Sequence, residues 1–402
     1  MNIVFLFWKN LNPTTGGVER VTDLLCRELK RRGHNVLYLN NTLYSINGDN
    51  YEYPATVYTF PDRREWDSPE TTNNIAFYRN LLVEQHIDFA IFQEQLYFQD
   101  LISLPRTTPY TRTIAVLHSN PQYQFSHTFK SIIANCHSFK DFLHLPWELK
   151  WTYSKKNAKF KQLSAAYNNT MAHIDAFCML SIKYLPELQH LYKGNMNKIT
   201  AIANPNTYPI DYNIDLGKKK KQLIYVGRLD KQQKCVERLV IIWGRIYQDF
   251  PDWELTIIGE GPQLNELQQM AAPLSRITFA GRQKPQQYYQ SASILCLTSN
   301  YEGWGMVIPE SMAHGTVPIL FNSYPAATEI INDGECGILV KPYSLRQYEK
   351  KLRMLMSDTA MRHKMATKAM EHVAQFSIDK VADKWEELFN KLAGSTTAEK
   401  TS

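Results

Sequence analysis

Glu302 and Glu310 stand eight residues apart in Tyr301-Glu302-Gly303-Trp304-Gly305-Met306-Val307-Ile308-Pro309-Glu310, directly after the apolar run 294–298. Carboxylates accept hydrogen bonds from the hydroxyls of a sugar or a ribose. Gly303 and Gly305 predict a turn, Pro309 is tolerated in the first turn of a helix, and Gly315 ends it. Glu302 then lies in the turn and Glu310 one to two helical turns further on, both open to one cleft. A solvated pair of acids is the plainer alternative.

Two cations follow another apolar run, 223–226, in Gly227-Arg228-Leu-Asp-Lys-Gln-Gln-Lys234. The carboxyl end of a parallel strand is where open sheets bind ligands, and there Arg228 would grip a phosphate bidentately while Lys234 acts as a point charge. Together they could neutralise a diphosphate leaving group. Two solvated bases at a helix start are the alternative, although the helix dipole disfavours them. Near the N-terminus, Gly16-Gly17 separates the run 3–8 from a helical pattern of Val18, Val21, Leu25 and Leu29. That gives half of an anion site at a helix N-terminus, or only a tight turn; it fits no dinucleotide fingerprint. His118 ends the run 113–117 at a further carboxyl edge.

These pieces, with Gly259-Glu-Gly261-Pro262 and Gly16-Gly17-Val-Glu-Arg20, resemble the retaining glycosyltransferases of family 4, which have the GT-B fold. The resemblance covers nearly the whole chain and is most specific in the second half. It implies that Glu302 contacts the transferred sugar, Glu310 binds the nucleotide ribose, and Arg228 and Lys234 hold the diphosphate. It further implies that Gly16 and Gly17 close over the diphosphate, that the backbone around Gly303, Trp304, Gly305 and Met306 donates to sugar and phosphate oxygens, and that His118 contacts the sugar or orients the reaction centre. A neutral imidazole at position 118 can donate to a sugar hydroxyl. One departure concerns Lys234: the family often has glycine next, and here Cys235 follows. The lysine assignment is therefore open by one residue of loop length.

Short apolar runs alternate with helical patterns throughout, the signature of parallel strands covered by helices on both faces. The expected fold class is α/β of the GT-B type, two Rossmann-like domains whose parallel sheets face each other across a cleft. The expected domains are 1–205 for the acceptor and 206–376 for the nucleotide sugar, with the prolines of 205–209 and the lysines 218–221 read as linker. A helix over 377–393 is expected to cross back to the first domain, and 394–402 to form a flexible tail.

A chain of 402 residues suits two domains, and 44% hydrophobic with 21% charged residues excludes a disordered or fibrous protein. The net charge of +6 is too mild for a nucleic-acid binder and leaves an anionic small molecule or an anionic membrane as partner. The six cysteines are at least 40 residues apart, which matches neither zinc spacing nor a disulfide framework and suits a reducing cytoplasm. The N-terminal apolar run lacks the flanks of a signal peptide, and no apolar stretch is long enough to span a bilayer. No Asp-x-Asp pair or metal-spaced cluster stands at a strand end, so no metal ion and no other cofactor is expected; Arg228, Lys234 and helix N-termini would carry the leaving-group charge. Segment 127–165 has seven lysines against Asp141 and Glu148, interleaved with aromatic residues. It reads either as a contact with anionic lipid at the inner face of the membrane, near a glycan or lipid-linked acceptor, or as a solvated helical hairpin. Two other functions fit the same residues: a sugar-nucleotide epimerase of this fold, or a non-catalytic nucleotide- or glycan-binding subunit.

Overall fold

The computed structural model describes residues 1–8, 11–13, 16–41, 52–64, 69–122 and 139–398. The chain divides into two compact units, one of Met1–Pro121, Ala158–Thr207 and Ile378–Ser402, the other of Gln122–Asn157 and Tyr208–Ser377.

The first unit is built on β1 (Asn2–Phe7), α1 (Gly17–Arg31), β2 (Asn35–Asn40), β3 (Thr56–Thr59), α2 (Thr72–Glu84), β4 (Phe89–Phe92), α3 (Gln99–Ile102) and β5 (Arg112–Leu117). Of the long helix α4 (Phe139–His173), the part from Ala158 onward belongs to this unit and the part up to Asn157 to the second; β6 (Ala176–Met179), α5 (Leu185–Leu191) and β7 (Ile199–Ala201) follow in the first unit. All seven strands are parallel, in the order β3-β2-β1-β4-β5-β6-β7. β1 and β4 are apolar on both faces because helices cover both sides of the sheet. α1 turns its buried residues Val21, Leu25 and Leu29 to the sheet and ends at Gly33, whose φ of +91° suits glycine.

The second unit continues with β8 (Lys220–Val226), α6 (Glu237–Ile246), β9 (Glu254–Ile258), α7 (Leu264–Ala271), β10 (Ile277–Gly281), α8 (Gln286–Ser291) and β11 (Ala292–Leu297). It closes with α9 (Val307–Met312), β12 (Val317–Phe321), α10 (Ala327–Ile330), β13 (Ile338–Val340), α11 (Leu345–Ser357) and α12 (Thr359–Val373). Its six parallel strands run β10-β9-β8-β11-β12-β13. The strand order reverses between β8 and β11, and the loops leaving the carboxyl ends of those two strands diverge there. That crevice is the standard ligand position of a doubly wound sheet.

The last helix, α13 (Ile378–Ala398), belongs to the first unit. Val381, Ala382, Trp385, Leu388 and Phe389 join a core with Phe5, Leu25, Leu29 and Phe89. The Phe89 and Phe389 ring centroids are 4.5 Å apart. Polar contacts reinforce this packing. Arg32 donates to Asp383 at 2.6 Å and to Glu386 at 2.7 Å, and His34 meets Glu386 at 2.8 Å. On α1 itself the guanidinium of Arg31, and then that of Arg32, holds the Glu28 carboxyl down at about 2.

Two expectations from the sequence need correction. The lysines 218–221 are not wholly linker: Lys220 and Lys221 begin β8, and Lys219 donates to the Tyr289 carbonyl at 2.7 Å and to Thr316 Oγ1 at 2.9 Å. Burial lowers the Lys219 ammonium to about 7. A lysine stem is long and apolar enough to lie along a domain and deliver its head to carbonyls, which a simple charge count misses. The tail expected from Gly394 onward is also shorter, because α13 runs to Ala398. One glycine costs only about 1 kcal/mol in a helix, too little to stop one anchored by its upstream packing.

Candidate active site

The loops after β8 and β11 are stitched together at the strand-order reversal. Lys234 places its ammonium 2.6 Å and 2.8 Å from the two oxygens of Glu302, and Ser299 Oγ donates to Glu302 Oε1 at 2.7 Å. Gln233 Nε2 reaches Glu302 Oε2 at 3.4 Å. The backbone does the rest: Asn300 N–H donates to the Gln233 carbonyl at 2.7 Å, and its side-chain amide donates to the Gln232 carbonyl at 2.8 Å. Glu302 is buried. Two of the three ammonium donors of Lys234 face Glu302, which leaves one for an incoming anion.

Arg228 is exposed, with its Nε donating to Asp230 at 2.9 Å and its Nη2 reaching Gln233 Oε1 at 3.4 Å. It stands at the mouth of the crevice, on the same hydrogen-bonded chain as Lys234. Lys231, the other lysine of this loop, pairs with Glu266 at 3.2 Å. Of the two, Lys234 is the one in contact with Glu302. Cys235 has φ +50° and lies fully buried, its thiol 3.1 Å from the Lys231 carbonyl. The left-handed backbone explains why glycine suits this position in similar loops.

Glu310 lies in the first turn of α9, with 1% of its surface exposed. Its Oε2 accepts from the Tyr289 hydroxyl at 2.9 Å. His314 donates from Nδ1 to the Glu310 carbonyl at 2.8 Å and packs its ring on Tyr208, a structural position. Trp304 turns inward: it is 2% exposed, its ring meets Phe376 edge-on at 5.2 Å, and its indole N–H is buried with no hydrogen-bond partner. Its side chain serves the loop, so a ligand could meet Trp304 only through its backbone. Gly305 has φ +81° and Met306 caps α9.

Gly227 ends β8, and the loop after β9 presses on it from one side. A Cβ at Gly259 would lie 1.9 Å from the Gly227 carbonyl oxygen, and one at Gly261 would lie 2.3 Å from that of Leu229. These two glycines let adjacent loops stack and so fix the direction in which Arg228 leaves the sheet.

The first unit carries its own candidates. Gly16 caps α1 in extended geometry with φ −154°, and the Glu19 carboxylate folds back to within 2.2 Å of where a Gly16 Cβ would stand. A carboxylate thus lies over the first turn, where free N–H groups and the dipole favour an anion. Gly17 begins the helix. His118 follows β5, and its Nε2 bonds Gln93 Oε1. An amide oxygen only accepts, so Nε2 carries the proton and Nδ1 is left as a buried acceptor with no partner. In this tautomer Nδ1 can only accept a hydrogen bond. Burial lowers the imidazole to about 4. The ring borders a small recess of about 20 Å³, shared with Thr22, Gln93, Ile202, Pro205 and Trp385.

Gln93, Gln233, Ser299 and Tyr289 were not legible as site residues. Gln93 and Ser299 did carry a usable signal, since each follows the carboxyl end of a parallel strand.

Residues 211–372 match the family model described as glycosyl transferases group 1. The chain is 29% identical over 197 residues to an uncharacterized glycosyltransferase of Haemophilus influenzae, covering 48% of this chain and 55% of that protein. It is 26% identical over 204 residues to a Campylobacter jejuni N-acetyl-D-galactosaminyltransferase whose name specifies a diNAcBac-PP-undecaprenol-linked substrate, covering 50% and 57%. These alignments span little more than half the length of the relatives. The crystal structure of Anabaena Alr3699/HepE in complex with UDP and glucose superposes with a TM-score of 0.70 at 15% identity, over 97% of this chain and 100% of that one. The chain has the GT-B fold, and the match to the glycosyl transferases group 1 model falls within its second unit. Among the described residues no helix is long and apolar enough to cross a membrane.

Proposed function

We propose that this protein is a retaining glycosyltransferase of family 4. It moves a sugar from a nucleotide diphosphate sugar, a UDP-sugar, to a glycan or lipid-linked glycan in cell-surface polysaccharide synthesis, in the cytoplasm and without a metal ion. The observation that carries this reading is the Lys234–Glu302 pair, held at 2.6 Å and 2.8 Å in the crevice between β8 and β11 with Arg228 at its mouth.

Each group has a task in that reaction. Arg228 and the third donor of Lys234 take the diphosphate, whose charge grows as the C1–O bond to phosphate breaks; this is the largest electrostatic demand of the reaction. Glu310, oriented by Tyr289, accepts from ribose hydroxyls. Glu302 accepts from hydroxyls of the sugar and is kept in place by Lys234 and Ser299. Committed to those partners, it is poorly placed to act as a nucleophile. The acceptor oxygen therefore attacks C1 from the face the phosphate leaves, and its proton passes to the departing phosphate oxygen. His118 accepts from a sugar hydroxyl through Nδ1.

The test is incubation with UDP-sugars, with and without a lipid-linked acceptor, in the presence of EDTA. Transfer that requires the acceptor and survives EDTA is expected. Conversion of the sugar without an acceptor, or binding without turnover, overturns the reading. Arg228→Ala and Lys234→Ala are expected to lower turnover by about a hundredfold or more with folding intact; near-normal rates remove them from the site. Calorimetry with UDP, GDP and ADP identifies the base.

A further inference from the structure

Two consecutive residues of α6, Glu237 and Arg238, are charged and buried. Glu237 is answered by Gln263, whose side-chain amide donates to its Oε2 at 2.7 Å. Arg238 reaches toward β11. The ladder between β11 and β12 ends at the pair Leu297 and Leu320, and past it the Thr298 carbonyl accepts from Arg238 Nη1 at 3.1 Å. Thr298 returns a bond through its side chain, with Oγ1 donating to the Cys235 carbonyl at 2.9 Å. The guanidinium carbon lies 5.1 Å from the centre of the Tyr343 ring and 5.8 Å from that of Phe321, within the range of cation–π attraction. Ser323 Oγ donates to the next carbonyl, that of Ser299, at 2.7 Å, so the chain leaving β11 is fixed at two successive residues.

Taking a guanidinium out of water is costly, and apolar side chains of similar volume often stabilise a core as well as buried charges do. Packing alone therefore does not account for Arg238. Its place in the chain does: Arg238 stands four residues after Lys234, and Thr298 four residues before Glu302. The two hydrogen bonds thus brace the roots of both loops that meet in the ion pair at 2.6 Å and 2.8 Å. We propose that Arg238 is a positioning residue for the transfer reaction: by holding the carboxyl end of β11 against α6, it sets the separation of Lys234 and Glu302. It acts through that pair and not on the substrate. Misplacing reacting groups by about 1 Å can cost about a hundredfold in rate, so a brace beneath both partners governs turnover more than binding. The effect on rate rests on the transferase reading, and the effect on the pair does not.

The test uses three variants of the full chain. Arg238→Met keeps the bulk and removes the donor, Arg238→Lys keeps a charge and a donor, and Thr298→Val keeps the shape and removes Oγ1. Nitrogen-15 NMR of the lysine ammonium groups reads the Lys234–Glu302 pair directly, with the signal assigned by its loss in Lys234→Ala. A shifted or broadened Lys234 signal is expected in Arg238→Met and Thr298→Val, and one close to the parent's in Arg238→Lys. With a UDP-sugar and a lipid-linked acceptor, kcat is expected to fall about tenfold or more in Arg238→Met and Thr298→Val, while KM for the UDP-sugar changes by less than about threefold. Arg238→Lys is expected to recover most of the rate. An unchanged Lys234 signal, a kcat near the parent's, a change confined to KM, or a lysine variant no better than the methionine one overturns the proposal. If thermal unfolding shows that Arg238→Met does not fold, Thr298→Val decides by the same criteria. If the parent itself transfers no sugar, the reaction reading falls, and the ammonium signal alone decides the positioning.

Discussion

His118 illustrates how one neighbour sets a residue's chemistry. With Nε2 engaged by Gln93 and burial lowering the imidazole to about 4, the ring stays neutral far below the usual histidine range. Protonation would fill Nδ1, the acceptor the proposed reaction uses. The pH profile of transfer is thus expected to show no step from this residue near 6.5 and to fall only towards about 4; nitrogen-15 NMR of the ring follows the same titration. Gln93→Leu is expected to let the tautomer vary and to reduce turnover more than substrate binding. At Cys235 the backbone conflict is measurable. Cys235→Gly trades a buried thiol for relief of a left-handed φ and is expected to unfold in urea within about 1 kcal/mol of the parent, above Cys235→Ala. An order with alanine higher would mean the backbone is not left-handed there. The sequence exposed both residues and concealed their settings, because Gln93 lies 25 positions from His118. Likewise Lys234 and Lys231 sit in one loop, and only the β11 loop, about 70 residues on, singles out Lys234 by contact.

Among elements, the stacked loops after β8 and β9 do the positioning. Any side chain at Gly259 would strike backbone, which cannot swing aside as a flexible side chain can. Gly259→Ala is expected to cost the second unit about 3 kcal/mol or more and to weaken UDP binding by displacing Arg228. Gly394→Ala is the control: nothing lies within 4 Å of its Cβ position on α13, and alanine there is expected to be neutral or stabilising. Urea denaturation separates the two. The strands were legible because both-face burial makes them continuous apolar runs, as in β4 and β11. The N-terminal end of β8 was not, because its lysines lie at the sheet margin where polar residues are tolerated.

For the whole molecule, the decisive feature is that the first unit is made from both ends of the chain. Removing residues after Ser377 strips Val381, Trp385, Leu388 and Phe389 from its core, a loss of roughly 6–12 kcal/mol at 1.5–3 kcal/mol for each side chain. That is comparable with the entire stability of a domain, about 5–15 kcal/mol. The truncated chain is expected to keep a protease-resistant second unit and to lose the first, as limited proteolysis with mass mapping would read. Synthesis on the ribosome meets the same constraint in time. The apolar face of α1 and the sheet emerges early and waits for its cover while the 170 residues from Tyr208 to Ser377 are made. At about 5–20 residues per second the wait lasts roughly 10–30 s. The unit begun first is therefore finished last, its apolar face uncovered during that interval.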